Sequence, residues 1–245
     1  DARYRWHDGV KMGELLQKAL FFRMERVKTV PAEREITIRD LLSHSSGLEQ
    51  GMVGLLAMLK DRQERVDLAA QAERYAGYPL DFQPGCGTGY SPLAGFDVLA
   101  RVIEVLSGMD AAQYYKANIF QPLGMRDTAF HLNEEQKKRL VHVYCRKNGK
   151  LVDVTGSKED LPKKFHFGER YICGAGGLYA ALDDYGAFAE MLQNGGSYHD
   201  VQILKPETVQ LMHTEAPLKH LEPEPGFVWG LGVKIRQDPV RGGSA

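Results

Sequence analysis

Two stretches decide how this chain is read: Ile36-Thr37-Ile38-Arg39-Asp40-Leu41-Leu42-Ser43-His44-Ser45-Ser46-Gly47-Leu48 and Phe82-Gln83-Pro84-Gly85-Cys86-Gly87-Thr88-Gly89-Tyr90-Ser91-Pro92. The first begins as a helix. Thr37 stands three residues before Asp40, the spacing of a capping box, and Gly47 can supply a left-handed exit. Ile38, Leu41 and Leu42 share one face, which predicts that this helix packs inward. The second is a glycine-punctuated loop leading to Tyr90, with Ser91 placed to cap the next helix and Pro92 suited to its first position. Ser43, Ser45 and Ser46 beside His44 read as caps and turn formers. Adjacent helix positions do not face one another, and no Gly-x-Ser-x-Gly elbow surrounds them.

Further along, helices are expected over 52–60 and 65–76. Phe96, Leu99, Ile103 and Leu106 form an apolar stripe on a helix that Ser107-Gly108 ends. Asp110 opens another, stopped by Pro122 and Gly124, and 133–140 reads as a short charged helix. Asn148-Gly149 between 141–145 and 151–154 is a strong hairpin signal. A helix from Asp183 or Asp184 carries Phe188, Met191 and Leu192, and Pro206 starts one through Met212. Residues 217–225 read as a loop. Phe227, Trp229, Leu231, Val233 and Ile235 alternate as one face of a single strand.

Composition narrows the function classes. Hydrophobic residues at 43% and charged residues at 26% place the chain among globular proteins. Lys plus Arg (31) nearly cancels Asp plus Glu (32), so no nucleic-acid or anionic-membrane partner is implied. No apolar run reaches the length of a membrane span, and residues 1–6 lack the apolar core of a signal peptide. The basic run Lys137-Lys138-Arg139 reads as a solvated helix face. Cys86, Cys145 and Cys173 form no Cys-x-x-Cys, and no His-Glu-x-x-His pair occurs, so neither a disulfide framework nor a metal site is implied. In Gly174-Ala175-Gly176-Gly177, Tyr179 occupies the last glycine position of a dinucleotide loop. Thiols without evident partners lean toward a cytoplasmic setting, although a removed signal would look the same.

Both opening stretches resemble consecutive signatures of the serine β-lactamase, D-alanyl-D-alanine peptidase and family VIII esterase group. The likeness continues through Asn118-Ile119-Phe120-Gln121-Pro122-Leu123-Gly124-Met125-Arg126-Asp127-Thr128, then residues 174–179 with Asp184, Phe188, Met191 and Leu192, then 227–233. It covers roughly residues 28–235. The resemblance implies an α+β, β-lactamase/transpeptidase-like fold, with a helical region beside an antiparallel sheet and flanking helices, and the site between them. The chain divides on this reading into 1–35, 36–170 and 171–245. The segment around Tyr90 resembles the one that ends in Tyr-x-Asn, whose tyrosine takes part in proton transfer. That makes Tyr90 the candidate catalytic residue and Ser91 a candidate substrate-binding residue. A helix N-terminus nearby would favour the phenolate by about 0.3–1 kcal/mol. Pro92 replaces the asparagine, whose amide would contact a β-lactam side chain, so an ester fits better than a penicillin.

Two signatures of the group are not met. No Ser-x-x-Lys occurs in the 245 residues, and no Lys-Thr-Gly or His-x-Gly strand follows Ile235. Leu20-Phe21-Phe22-Arg23-Met24 resembles the run-in to the serine helix, while residues 28–34 resemble text well beyond it. Either a segment is missing near 24–26, or residues 1–30 have diverged. An incomplete sheet would keep unpaired edges, which invite self-association into a homo-oligomer. The expectation is a serine hydrolase acting on a small-molecule ester or amide through an acyl-enzyme, esterase-like, with no cofactor or metal. The alternative is a non-catalytic relative, or inactive fragment, that binds a peptide-like or acyl ligand.

Overall fold

The computed structural model describes residues 28–60, 65–160, 170–214, 218 and 224–241. The segment around Leu20–Met24 and most of the loop expected over 217–225 lie outside them. The first helix, α1 (Ile38–Leu42), starts as its sequence dictates: the Thr37 hydroxyl accepts the Asp40 N–H, and the Asp40 carboxylate accepts the Thr37 N–H. Burial alone would raise the Asp40 carboxyl, but hydrogen bonds from Arg34 and Thr37 outweigh it and hold it at about 2. The helix is shorter than expected, because Ser43 caps it and Gly47 (φ 81°) turns the chain four residues later. Leu41 is buried, but Ile38 is 52% exposed, contrary to its reading as an inward residue.

Helix α2 (Met52–Lys60) begins against a distant acid. The Asp81 carboxylate accepts the main-chain N–H groups of Gln50, Gly51, Val53 and Gly54. Helix α3 (Leu68–Ala76) is capped by Asp67. The long helix α4 (Ala94–Ser107) ends on Gly108 in the left-handed conformation (φ 69°), as the sequence predicts. Its buried face does not follow the apolar stripe. Ala94, Gly95, Asp97 and Ala100 face inward, whereas Leu106 is 79% exposed. Small residues allow close packing here. A Cβ on Gly174 would lie 2.1 Å from the Phe96 carbonyl oxygen, so only glycine lets that segment approach.

Asp97, 1% exposed, ties the helices together. Its carboxylate accepts the Tyr75 hydroxyl of α3 (2.8 Å), the Tyr171 hydroxyl and the Gly174 N–H (2.8 Å). Arg65 donates to both tyrosine oxygens, at 2.8 and 2.9 Å, and lies 3.5 Å from the carboxylate. Burial and the neighbouring Asp97 charge push both phenols well above their usual range, so they stay protonated as donors. Around this network Leu68, Ala100, Ala111, Phe130, Tyr171, Ile172 and Cys173 form one apolar cluster.

Helix α5 (Ala111–Tyr115) runs into a π-helical turn (Lys116–Phe120) that local sequence does not mark. Helix α6 (Glu134–Lys137) carries a second capping box, between Asn133 and Gln136. Strands β1 (Tyr144–Lys147) and β2 (Lys150–Asp153) pair across Asn148 and Gly149, both at positive φ, as predicted. Helix α7 (Leu182–Gln193) packs Met191 on Phe120, Leu123 and Met125. Then follow the short pair β3 (Ser197–Tyr198) and β4 (Val201–Gln202), and helix α8 (Pro206–Met212).

The last expected strand is instead a hairpin, β5 (Phe227–Trp229) with β6 (Lys234–Arg236). Gly232 at φ 77° reverses the chain, and the Gly230 N–H closes on the Val233 carbonyl. Val228 is the buried residue of β5, so the inward phase is opposite to the predicted one. Among the described residues the strands form three separate antiparallel pairs. Replacing Asp97 by alanine removes the acceptor of two phenols and a main-chain N–H and the negative charge beside Arg65. We expect Asp97→Ala to lower the unfolding free energy by about 3–5 kcal/mol, measured by urea denaturation; a loss below about 1 kcal/mol would show that the network does not hold the helices.

Candidate active site

Tyr90 stands at the end of the loop that enters α4, with 62% of its surface exposed. The loop reaches that position because glycines let it cross other main chain. A Cβ on Gly89 would sit 2.3 Å from the Gln50 carbonyl oxygen, inside contact distance. The ring rests on two others. Its centroid lies 5.0 Å from that of His44 and 6.2 Å from that of Trp229, the latter nearly parallel at 21°. His44 and Trp229 are 4.3 Å apart, and Phe96 closes the stack edge-on at 5.5 Å from His44. Trp229 is brought there by the hairpin tip, whose Gly232 N–H donates to the Leu42 carbonyl at the end of α1 (2.8 Å).

His44 is 2% exposed and makes polar contacts through both main chain and side chain. Its carbonyl accepts the Thr88 hydroxyl (3.1 Å) and the Gly89 N–H (3.2 Å). Its Nδ1 accepts the Ser91 N–H at 3.2 Å, so the neutral ring carries its proton on Nε2. Burial lowers the imidazole to about 4, well below the usual histidine value. Glu49, also 2% exposed, reaches the same segment. One carboxylate oxygen accepts the Leu93 N–H (3.1 Å) and the Ala94 N–H (2.8 Å). Burial pushes the Glu49 carboxyl up, against the pull of those two donors.

Ser91 lies behind the tyrosine rather than beside it. It is 1% exposed, and its hydroxyl accepts the Gly95 N–H at 3.0 Å. The helix begins at Ala94, after Leu93, and not at Pro92. Leu93 offers no side-chain oxygen, and Glu49 takes the capping role across a long sequence separation. Ser43, Ser45 and Ser46 are at most 3% exposed. The Ser43 hydroxyl donates to the Arg39 carbonyl (2.8 Å), and Ser46 Oγ accepts the Leu48 N–H (3.2 Å), which is the work of caps and turns.

Sequence reading therefore names Tyr90 but misses its supports. Glu49 carries no local signal, since its targets lie 44 and 45 residues away. Trp229 is hidden by being read as part of a continuous strand. Three cavities of about 720, 800 and 620 Å³ open elsewhere, and Tyr90 lines none of these three. The phenol presents itself on an open surface.

Comparison with known proteins places this geometry in context. The family model described as Beta-lactamase matches residues 17–242. Protein Rv1367c of Mycobacterium tuberculosis is 30% identical over 193 residues, 77% of this chain and 46% of that protein. Lovastatin esterase of Penicillium rubens is 30% identical over 204 residues, 79% of this chain and 47% of that protein. This chain thus spans about half the length of the relatives it matches. Among solved structures, EstCE1, described as a hydrolase with promiscuous acyltransferase activity, superimposes with a TM-score of 0.70 at 23% identity, over 92% of this chain and 63% of that one. At that identity the likeness speaks for the fold.

The imidazole sets an acid limit on stability. A buried neutral histidine with a depressed folded value takes up its proton more readily when unfolded. Its contribution is therefore complete above pH 6.5 and is lost as pH falls from 6.5 toward about 4. Glu49, raised by burial, works in the opposite sense, so the comparison must isolate His44. Between pH 7 and 4.5 the wild-type unfolding free energy should fall by about 2–3 kcal/mol more than that of His44→Asn. Equal pH slopes in urea melts of the two proteins would contradict the assignment.

Proposed function

Starting from the fact that the chain belongs to the beta-lactamase family, we propose that it serves an esterase-like serine hydrolase in which Tyr90 moves the proton during acyl transfer. One observation carries the reading: an exposed phenol on a fixed aromatic seat, its loop tied to His44 and to the start of α4. In the proposed reaction Tyr90 enters as the phenolate and takes the proton of a serine hydroxyl as that oxygen attacks the ester carbonyl, becoming a phenol. The proton then passes to the departing alkoxide as the carbon–oxygen bond breaks, leaving an acyl-enzyme. Water repeats the sequence, releasing a carboxylic acid and restoring the hydroxyl. Ser91 acts in this scheme as a positioning residue behind the phenol.

The ester preference rests on two supports. Pro92 offers no side-chain amide to a β-lactam substituent. Lovastatin esterase, one of the relatives, bears an ester-cleaving name. The 245 residues contain no Ser-x-x-Lys, which supports a second reading: a relative that binds an acyl or peptide-like ligand without cleaving it.

The test uses the native protein with p-nitrophenyl butyrate and a fluorophosphonate label. The hydrolase reading expects turnover, a single labelled serine located by peptide mapping, and a 10²–10⁴-fold lower kcat in Tyr90→Phe. Silence from both reagents would replace it by the binding reading. Full activity in Tyr90→Phe would remove the tyrosine from the mechanism.

A further inference from the structure

Four non-glycine residues among those described have left-handed backbone: His44, Glu49, Asn148 and His199. Asn148 turns β1 into β2, and His199 turns β3 into β4. His44 (φ 52°) and Glu49 (φ 54°) instead bracket one compact turn, and both reach the same short segment, Ser91 to Ala94. L-residues adopt this conformation only when their surroundings demand it. The turn is fixed from outside as well, because the Gly47 carbonyl accepts the Asp81 N–H (2.8 Å).

We infer that His44 is the positioning residue for Tyr90, and that Glu49 completes a strained clamp by holding the first turn of α4. The catalytic consequence rests on the reading of Tyr90 given above; the clamp itself does not. His44 controls the phenol in three ways. Its carbonyl anchors the chain before Tyr90 through Thr88 and Gly89, its Nδ1 anchors the chain after it through Ser91, and its ring forms part of the seat. Each of these places the ring without touching the substrate.

The side-chain anchor requires a neutral imidazole, since a second proton would occupy Nδ1 and turn an acceptor into a donor. Among the described residues, the charged groups around His44 are engaged elsewhere. On the α1 side Asp40 is held by Arg34 and Thr37. In the turn, Glu49 is held by α4 N–H groups, and from α4 Asp97 is held by Tyr75, Tyr171 and Gly174. The loop contributes Tyr90 and the exposed Cys86, and the hairpin contributes Lys234, paired with Glu224. Among the described residues no carboxylate forms an ion pair with His44, so acid loosens the clamp.

The experiment combines ester turnover with ¹⁹F NMR of protein carrying 5-fluorotryptophan, the Trp229 resonance being assigned with Trp229→Phe. In the wild type that resonance should titrate with a midpoint near pH 4 while far-UV circular dichroism stays constant, and in His44→Asn the titration should vanish. At pH 7, His44→Phe should lower kcat about 100-fold with little change in KM. His44→Asn should restore most of it, because Asn tolerates left-handed backbone and its Oδ1 can accept the Ser91 N–H. A folded His44→Phe with wild-type kcat would overturn the clamp. Should that variant unfold, Thr88→Val decides: a several-fold drop in kcat at constant KM supports the clamp, and an unchanged kcat overturns it. If the wild type cleaves no ester, the fluorine signal still judges. A resonance indifferent to pH and to His44→Asn refutes the clamp, whereas one that titrates upholds it while the hydrolase reading alone falls.

Discussion

The first N–H groups of a helix cannot be satisfied within it, and when that end is buried something else must accept them. The rest of this site depends on how α4 meets that constraint. Its capping position is Leu93, which has no oxygen to offer. Glu49 therefore takes the N–H groups of Leu93 and Ala94, Ser91 Oγ takes that of Gly95, and His44 takes that of Ser91. Acceptors from a remote turn thus fix where the helix starts. Because Tyr90 immediately precedes this segment, the same bonds fix where its phenol stands. The hairpin β5–β6 adds Trp229 to the seat through its bond to the end of α1.

What could be read beforehand was whatever is decided locally. The Thr37–Asp40 box, the Asn148-Gly149 turn, the Gly108 stop and the Pro206 start all involve residues within a few positions of one another, and all are present. The misreadings have a common origin in partners far along the chain. Ser91 caps the helix as read, through the Gly95 N–H, but nothing local announces that Glu49 takes the N–H groups of Leu93 and Ala94. The α4 stripe looks like the buried face, but the Asp97 carboxylate with its partners and two alanines pull the opposite residues inward. The alternation from Phe227 to Ile235 looks like one strand because Gly230 and Gly232 sit at positions where a strand pattern tolerates them. Of the candidate site, the place of the phenol just before α4 was legible, and the remote bonds that hold it there were not.

The fold alone does not assign chemistry, since one scaffold hosts many reactions. Chemistry therefore depends on the setting of a particular side chain. An exposed tyrosine on a mobile loop would have no fixed position relative to a reacting atom. Tyr90 is exposed at its face yet held at its root, which is the arrangement proton transfer demands, because misplacement by an ångström costs orders of magnitude in rate. The buried serines nearby lack that exposure and are committed to main-chain partners.

The central claim is that Tyr90 works on a hydroxyl nucleophile. Its most direct measurement is a crystal structure of the native protein after reaction with an alkyl phosphonate ester, which mimics the tetrahedral species of acyl transfer. The account predicts the Tyr90 hydroxyl within about 2.6–3.2 Å of the phosphonylated serine oxygen or of the leaving-group position. A phosphonylated serine well beyond that reach, with Tyr90 turned to solvent, would contradict it.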